Sequence, residues 1–222
     1  MGRQVSLTAH AEGLNHHISD LIVRYPVLDV CAPSIQRAYE LLLASEQAGG
    51  TIFTCGNGGS NADAEHIVGE LMKRFVKQRP LAAELVDSFE KTAGAEGVTV
   101  AGKLERGMRA IALGSQGALA TAFANDVDAD LMFAQELMGY VRPQDALIAI
   151  SSSGNSKNVR YAALAARAAG IPVILLTGER RGSIADFATE CIQVPETETY
   201  KIQELHLPIY HALCIALEDE LF

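Results

Sequence analysis

The sequence predicts an α/β fold in which helices cover both faces of a parallel β-sheet. Short apolar segments alternate with helical segments along the chain, and two of the apolar segments run directly into turns rich in glycine or serine. A long amphipathic helix ends the sequence. Because sheets of this kind bind ligands at the carboxyl ends of their strands, both turns are expected at the binding edge.

The length and composition favour a single domain that spans residues 1–222. No apolar run approaches the roughly 18 residues of a membrane span, so a soluble protein without a membrane partner is expected. The net charge of −9, without a basic stripe, argues against nucleic acid as a partner. The four cysteines are scattered, which is typical of reduced thiols in a cytoplasmic protein.

Residues 1–48 are predicted to form an N-terminal helical arm. Its two helices are expected at residues 6–24 and 33–47, where apolar residues recur close to the helical period. The first strand, residues 51–55, follows this arm. Residues 81–108 contain no clear strand, and a lid, an interface element or a plain insertion would each fit that pattern.

Four further strands are predicted in the second half of the chain, separated by helices. The strands are expected at residues 109–113, 146–150, 172–177 and 191–194. The helices are expected at residues 119–126, 129–141, 157–169, 183–187 and 200–221. These elements complete an alternating strand and helix pattern, which favours parallel strand order.

The segment CGNGGSNADAEHIVGELMKRF, residues 55–75, joins a glycine-rich turn to a helix. The glycines let backbone N–H groups approach an anion, with Ser60 expected as the N-cap and Asp63 as a complement to the helix dipole. His66 and Glu70 have an i,i+4 spacing, which places their Cβ atoms about 6 Å apart on one helix face. This spacing suits two ligands of one metal ion, a base beside its partner, or an ordinary solvated face.

The segment SSSGNS, residues 151–156, is the second candidate anion site. Its hydroxyls and the N–H groups at the start of the next helix can donate hydrogen bonds to phosphate oxygens. A serine-rich surface turn with an N-cap would give the same pattern. Two such turns after strands of one sheet favour a shared phosphate site.

The C-terminal helix carries Gln203, His206 and His211, each of which could be an ordinary helix residue. Pro208 is expected to kink this helix, because it cannot donate a hydrogen bond to the Glu204 carbonyl. Gln203 and His211 lie two turns apart, about 12 Å along a straight axis. To reach one metal ion together they would need leaning side chains, the kink or another subunit.

These motifs together resemble the phosphoheptose isomerases of the sugar isomerase (SIS) superfamily. The resemblance covers residues 36–218 and is carried by CGNGGS with His66 and Glu70, Asn125-Asp126, SSSGNS, and IQELH with His211. It implies a three-layer, flavodoxin-like αβα sandwich with a five-stranded parallel sheet, and a homotetramer with sites at subunit interfaces. It also implies an enzyme that converts sedoheptulose 7-phosphate to D-glycero-D-manno-heptose 7-phosphate for bacterial lipopolysaccharide or other surface glycans.

The resemblance also implies roles for individual residues. Glu70 would be the general base and His211 the general acid of an aldose–ketose isomerisation. A zinc ion would be held by His66, Glu70, Gln203 and His211. Substrate would be held by Asn57, Gly58, Gly59, Ser60, Asn125, Asp126, Ser151, Ser152, Ser153, Ser156 and Gln203.

Two other functions are compatible with the same scaffold. The chain could isomerise a different phosphosugar, because phosphate-binding loops recognise the end that such substrates share. It could also be a non-catalytic SIS protein that binds a sugar phosphate. Loss of Glu70 or His211 would indicate the second function, and the chain retains both residues.

Overall fold

The computed structural model describes residues 15–222, and its centre is a sheet of five parallel strands. The strands are β1 (Ile52–Cys55), β2 (Ala110–Ala112), β3 (Ala146–Ile150), β4 (Val173–Thr177) and β5 (Glu190–Gln193). Their order in the sheet is β2-β1-β3-β4-β5. The predicted α/β class with a five-stranded parallel sheet is confirmed.

Two helical layers cover the sheet. The helices are α1 (His16–Arg24), α2 (Ala32–Gln47), α3 (Gly59–Met72), α4 (Ala83–Ala101), α5 (Gly117–Phe123), α6 (Met132–Tyr140), α7 (Lys157–Ala168) and α8 (Thr199–Leu221). One core lies under α1, α2, α3 and α8, and the other lies under α6 and α7. Ile52 of β1 belongs to the first core and Phe53 to the second, because successive side chains of a strand point to opposite faces.

The N-terminal arm consists of α1, a short 3-10 helix at Pro26–Cys31 and α2. The first helix was expected to start at residue 6, and residues 6–14 of that prediction lie outside the described residues.

At the other end of the chain, α8 continues through the buried Pro208 as one helix. None of the helices in residues 15–222 is both long and apolar enough to cross a membrane.

The segment between residues 81 and 108 folds as a helix, α4, that is broken in its middle. The break lies at Ala93 and Gly94, where Gly94 has a φ of +56°. A side chain on Gly97 would place a Cβ 1.9 Å from the Phe89 carbonyl oxygen, so the two halves approach closely only with glycine there. The segment therefore consists of two helical pieces that meet at Ala93 and Gly94.

A buried ion pair joins the segment that follows α3 to α8. Arg79 and Glu218 are 0% and 1% exposed, and Arg79 Nε donates to Glu218 Oε1 at 2.7 Å. The carboxylate of Glu218 also accepts from the backbone N–H groups of Phe75, Val76 and Lys77. These three N–H groups belong to the segment that follows α3, which ends at Met72.

Arg79 also satisfies the backbone carbonyls that the end of α3 leaves free. It donates from Nη1 to the Leu71 carbonyl at 2.6 Å and from Nη2 to the Glu70 carbonyl at 3.3 Å. Burial alone would raise the pKa of the Glu218 carboxyl, but its backbone donors and Arg79 lower that pKa below its ordinary value. The folded chain therefore holds Glu218 ionised.

We predict that Glu218→Gln lowers the free energy of unfolding at pH 7 by about 3 kcal/mol, because Arg79 is left buried without a counter-charge. The lowered pKa of Glu218 makes its stabilisation fully present above the unfolded pKa, about 4.3, and lost as pH falls through the folded pKa. Urea unfolding at pH 7 and below pH 4 tests this. Asp219→Asn, at a half-exposed neighbour, is the control. Equal stability of Glu218→Gln and wild type at pH 7 would contradict it.

Candidate active site

Two neighbouring helices, α3 and α8, bring together three of the predicted catalytic and metal-binding residues. His66 Nε2 lies 3.2 Å from Glu70 Oε1, as the i,i+4 spacing predicts. The ring of His211 stands edge-on to the ring of His66, with centroids 5.1 Å apart. A carboxylate and two imidazoles, drawn from distant parts of the chain, therefore share one seam between the helices.

Glu70 has a partner that the sequence analysis did not identify. Lys73 Nζ donates to Glu70 Oε2 at 2.8 Å, an i,i+3 contact that the spacing could have indicated. Partial burial raises the pKa of the Glu70 carboxyl, but the hydrogen bond and charge of Lys73, together with His66, lower it by more. Glu70 is therefore a carboxylate at neutral pH and can accept a proton.

His211 is held as a neutral imidazole in this seam. Burial lowers its pKa, and the neighbouring His66 lowers it further. Its Nε2 atom is buried and has no hydrogen-bond partner among the described residues. A neutral ring with a free nitrogen can bind a metal ion or exchange a proton with a substrate oxygen.

Asp63 and Tyr210 complete the seam, and sequence reasoning missed the contact between them. The Tyr210 hydroxyl donates to Asp63 Oδ1 at 3.2 Å and lies 3.0 Å from His66 Nδ1. Asp63 was expected to complement the dipole of α3, but it lies beyond the first turn, and burial raises its pKa. The i,i+3 spacing of Asp63 and His66, which places both on one face of α3, is the feature of the sequence that could have indicated a shared partner.

The glycine-rich turn differs from the prediction in its cap. Gly58, with a φ of +56°, is the N-cap, while Ser60 is buried inside the first turn of α3. The Ser60 hydroxyl accepts from Gln203 Nε2 at 3.4 Å, and a Cβ on Gly59 would lie 2.8 Å from the same Nε2. Gln203 therefore packs against the start of α3.

Gln203 and His211 contact different parts of α3. Gln203 contacts Gly59 and Ser60, whereas His211 contacts His66, about two turns further along. Gln203 and His211 are therefore as far apart along α8 as a straight helix would place them.

His206, the third candidate on α8, is fully buried, and its Nε2 lies 3.4 Å from the Thr177 carbonyl oxygen. Burial lowers the pKa of His206 to about 4, so it is a neutral core residue.

The serine-rich turn is organised by its own hydrogen bonds. Ser151 and Ser156 lie with their hydroxyl oxygens 3.0 Å apart, and the Asn155 side chain spans the turn from the Ser153 carbonyl to the Ser183 N–H. Ser152 is half-buried and Ser153 is exposed. The hydroxyls of this turn thus stand at the start of α7, ready to donate to an anion.

The chain leaves β2, β1 and β3 at the same edge of the sheet, because these three strands are adjacent and parallel. Asn57 and Asn158 exchange two side-chain hydrogen bonds, of 2.8 and 2.9 Å, between the glycine-rich turn and α7. Lys157 pairs with Asp130 at 2.6 Å, which ties α7 to a 3-10 helix at Ala129–Leu131. That helix follows a π-helical turn, Ala124–Asp128, in which Asn125 donates to the Asp126 carboxylate at 2.8 Å. Single π-turns are frequent at functional sites.

The predicted zinc ligands do not form a compact group within the single chain. Among residues 15–222, the one set of three His, Cys, Asp or Glu ligand atoms within 4.8 Å of one another is His16, His17 and Asp219. This set lies at the surface, where Lys77 also pairs with Asp219. His66 and Glu70 are in contact, His211 lies beside His66, and Gln203 is further along the seam.

Known proteins similar to this chain belong to the family that the sequence motifs resemble, and the similarity extends over most of the chain. Two SIS domain models match, one over residues 26–112 and one over residues 110–216. The chain is 38% identical to a phosphoheptose isomerase of Rhodospirillum rubrum over 86% of this chain and 88% of that protein. It is 36% identical to a phosphoheptose isomerase of Thiobacillus denitrificans over 95% of both.

A solved structure shows the same relationship in three dimensions. The phosphoheptose isomerase of Neisseria gonorrhoeae superimposes with a TM-score of 0.70 at 29% identity. The superposition covers 92% of this chain and 96% of that chain. Most of the chain therefore has a counterpart in a structurally characterised relative.

We predict that Asn158→Ala loosens the glycine-rich turn, because it removes both hydrogen bonds to Asn57. Two lost bonds of about 1 kcal/mol each predict roughly tenfold faster exchange, or more, of the Ser60 and Ala62 amides, which donate to the Asn57 and Gly58 carbonyls. Hydrogen exchange followed by mass spectrometry measures this. Asn61→Ala, which loses only a bond to Glu65 on its own helix, is the control. Unchanged exchange in Asn158→Ala would show that the pair does not hold the turn.

Proposed function

Because the chain belongs to the phosphoheptose isomerase family of SIS domain proteins, we propose that it converts sedoheptulose 7-phosphate to D-glycero-D-manno-heptose 7-phosphate. This is an aldose–ketose isomerisation. The observation that carries the proposal is the seam in which the Glu70 carboxylate contacts His66 and the ring of His211 stands beside them. The product would enter activated-heptose synthesis for bacterial lipopolysaccharide or other surface glycans.

The three turns at the sheet edge support phosphate binding. The chain carries a net charge of −9, so an anion must be held by local donors. The free N–H groups at the start of α3 and α7 and the hydroxyls of residues 151–156 supply such donors. We assign substrate contacts to Asn57, Gly58, Gly59, Ser60, Asn125, Asp126, Ser151, Ser152, Ser153, Ser156 and Gln203.

The protonation states of Glu70 and His211 suit proton transfer between C1 and C2 of the sugar. Glu70, ionised at neutral pH, takes the proton from one carbon and returns it to the other. His211, a neutral imidazole, donates a proton to one substrate oxygen and accepts it from the other. One carboxylate thus transfers the proton between the two carbons, and one imidazole transfers the proton between the two oxygens.

We also propose a zinc site in the seam. The contact between His66 and Glu70 and the unpartnered Nε2 of His211 fit a cation there. The ligands would be His66, Glu70, Gln203 and His211, and zinc, when bound, would polarise the carbonyl and stabilise charge on the substrate oxygens. Because Gln203 contacts Ser60 within this chain, its part in metal binding would require the assembled subunits.

The proposed assembly is a homotetramer in the cytoplasm, with sites at the subunit interfaces. Large apolar side chains are exposed along the N-terminal arm and after α3: Val23, Val30 and Val76 are 67%, 71% and 71% exposed. The α4 segment exposes Leu85 and Val98 as well. Apolar surface of this extent supports contact with other copies of the chain.

The substrate assignment is tested by turnover of a panel of ketose phosphates of five, six and seven carbons, including amino sugars. We expect sedoheptulose 7-phosphate to have the highest kcat/KM. A higher value for another phosphosugar would reassign the substrate, and tight binding without turnover would favour a sugar-phosphate-binding protein.

We predict that Glu70→Gln lowers kcat roughly 100-fold or more, with little change in substrate binding, because the amide cannot accept the proton. Steady-state turnover and equilibrium binding of sedoheptulose 7-phosphate measure the two effects. Glu65→Gln is the matched control, since Glu65 is an exposed acid on the same helix. Full activity of Glu70→Gln would remove Glu70 from the mechanism.

We predict that Gly59→Ala lowers kcat/KM about tenfold or more, because the new methyl group displaces the Gln203 amide. The fold should survive, since the clash is with the end of a flexible side chain. Gly69→Ala is the control: its methyl group meets no atom within 4 Å, and alanine stabilises the helix. Thermal unfolding is measured beside turnover, and equal kcat/KM for both variants would exclude a role for Gln203 at the site.

A further inference from the structure

Tyr210 is a buried side chain of the seam to which the proposed reaction assigns no role. It is 1% exposed, and its hydroxyl lies between two polar atoms of α3. The distances are 3.2 Å to Asp63 Oδ1 and 3.0 Å to His66 Nδ1. Asp63, His66 and Glu70 follow one another at spacings of three and four residues, so the Tyr210 contacts and Glu70 lie along one face of the helix.

The number of protons in this chain of contacts is limited. A tyrosine hydroxyl has one proton to donate, and an ionised carboxylate can only accept. Tyr210 donates its one proton to Asp63 Oδ1, whereas Oδ2 is buried and has no partner among residues 15–222. The hydrogen bond from Tyr210 therefore stabilises the Asp63 carboxylate. The Tyr210 oxygen must then accept a proton from His66, which places that proton on Nδ1.

The position of this proton decides what the other side of the His66 ring can do. With the proton on Nδ1, the neutral ring presents a lone pair at Nε2, 3.2 Å from Glu70 Oε1. A lone pair and a carboxylate oxygen at this distance attract each other only through a cation between or beside them. The other neutral tautomer would instead place a proton on Nε2 and close the nitrogen to a metal ion.

We propose that Tyr210 is a positioning residue that, together with Asp63, holds the His66 proton on Nδ1 and thereby keeps Nε2 open to a metal ion beside Glu70. This inference rests on the proposed metal site. Tyr210 acts through His66 and is not itself a catalytic residue. Its ring also packs edge-on against the rings of both His66 and His211, which limits rotation of the two imidazoles.

Two variants separate the hydrogen-bonding role of Tyr210 from its packing role. Tyr210→Phe keeps the buried ring and removes only the hydroxyl. Asp63→Asn gives Tyr210 a neighbour that can donate, so that the phenol proton can turn to His66 Nδ1 and shift the ring to the Nε2–H tautomer. Tyr39→Phe is the matched control, because Tyr39 is a buried tyrosine, 7% exposed, on α2.

The tautomer is read from long-range proton–nitrogen correlation spectra of the full-length chain. The protein carries ¹⁵N-labelled histidine, is freed of metal with a chelator, and is measured at pH 8, with His66→Gln used for assignment. We expect the Nδ1–H tautomer of His66 in wild type and Tyr39→Phe, a mixture in Tyr210→Phe, and the Nε2–H tautomer in Asp63→Asn. An Nε2–H tautomer in wild type, or an unchanged spectrum in Tyr210→Phe, would overturn the proposal.

Zinc affinity gives a second measurement that does not require turnover. Competition with a chromogenic chelator should show zinc bound about tenfold or more weakly by Tyr210→Phe, and unchanged affinity in Tyr39→Phe. Equal zinc affinity in Tyr210→Phe and wild type would also overturn the proposal. Failure of the proposed reaction is distinguished by the ketose phosphate panel, because an inactive protein can still show the Nδ1–H tautomer and the loss of zinc affinity.

Discussion

The buried pair of Arg79 and Glu218 is the interaction on which the geometry of the seam depends. Arg79 satisfies the last carbonyls of α3, while Glu218 anchors the pair to α8 and accepts from the backbone that leaves α3. A buried charge without its partner is strongly destabilising, so few other arrangements of the two helices are compatible with both residues. The relative positions of His66, Glu70, Tyr210 and His211 follow from this attachment.

In the proposed reaction, anion binding and proton transfer take place in separate parts of the site. The candidate phosphate donors lie at the carboxyl edge of the sheet, where side-chain contacts join α7 to the glycine-rich turn and to the 3-10 helix at Ala129–Leu131. The ionised carboxylate and the neutral imidazole lie further along α3 and α8. A sugar phosphate has the same division, with its charge at one end and its reactive carbonyl at the other, so the two regions fit the two ends of such a substrate.

The single chain leaves two features that an assembly would explain. Gln203 and His211 contact α3 about two turns apart, although the proposed zinc site includes both residues. Apolar side chains of the N-terminal arm, of the segment after α3 and of α4 remain exposed. A second copy that covers these surfaces could also supply side chains to the seam. Whether the site is complete would then depend on the oligomeric state.

The sequence by itself determined the alternating α/β pattern, both ends of each of the five strands to within one residue, and the contact of His66 with Glu70. Those features depend on local periodicity, which the order of residues records directly. Only the tertiary structure decided that Gly58 rather than Ser60 caps α3, that His206 is a core residue, and that Arg79 meets Glu218 and Asp63 meets Tyr210. The partners in the last two contacts lie 139 and 147 residues apart, and such contacts form only when helices pack on a common sheet, which no local pattern encodes.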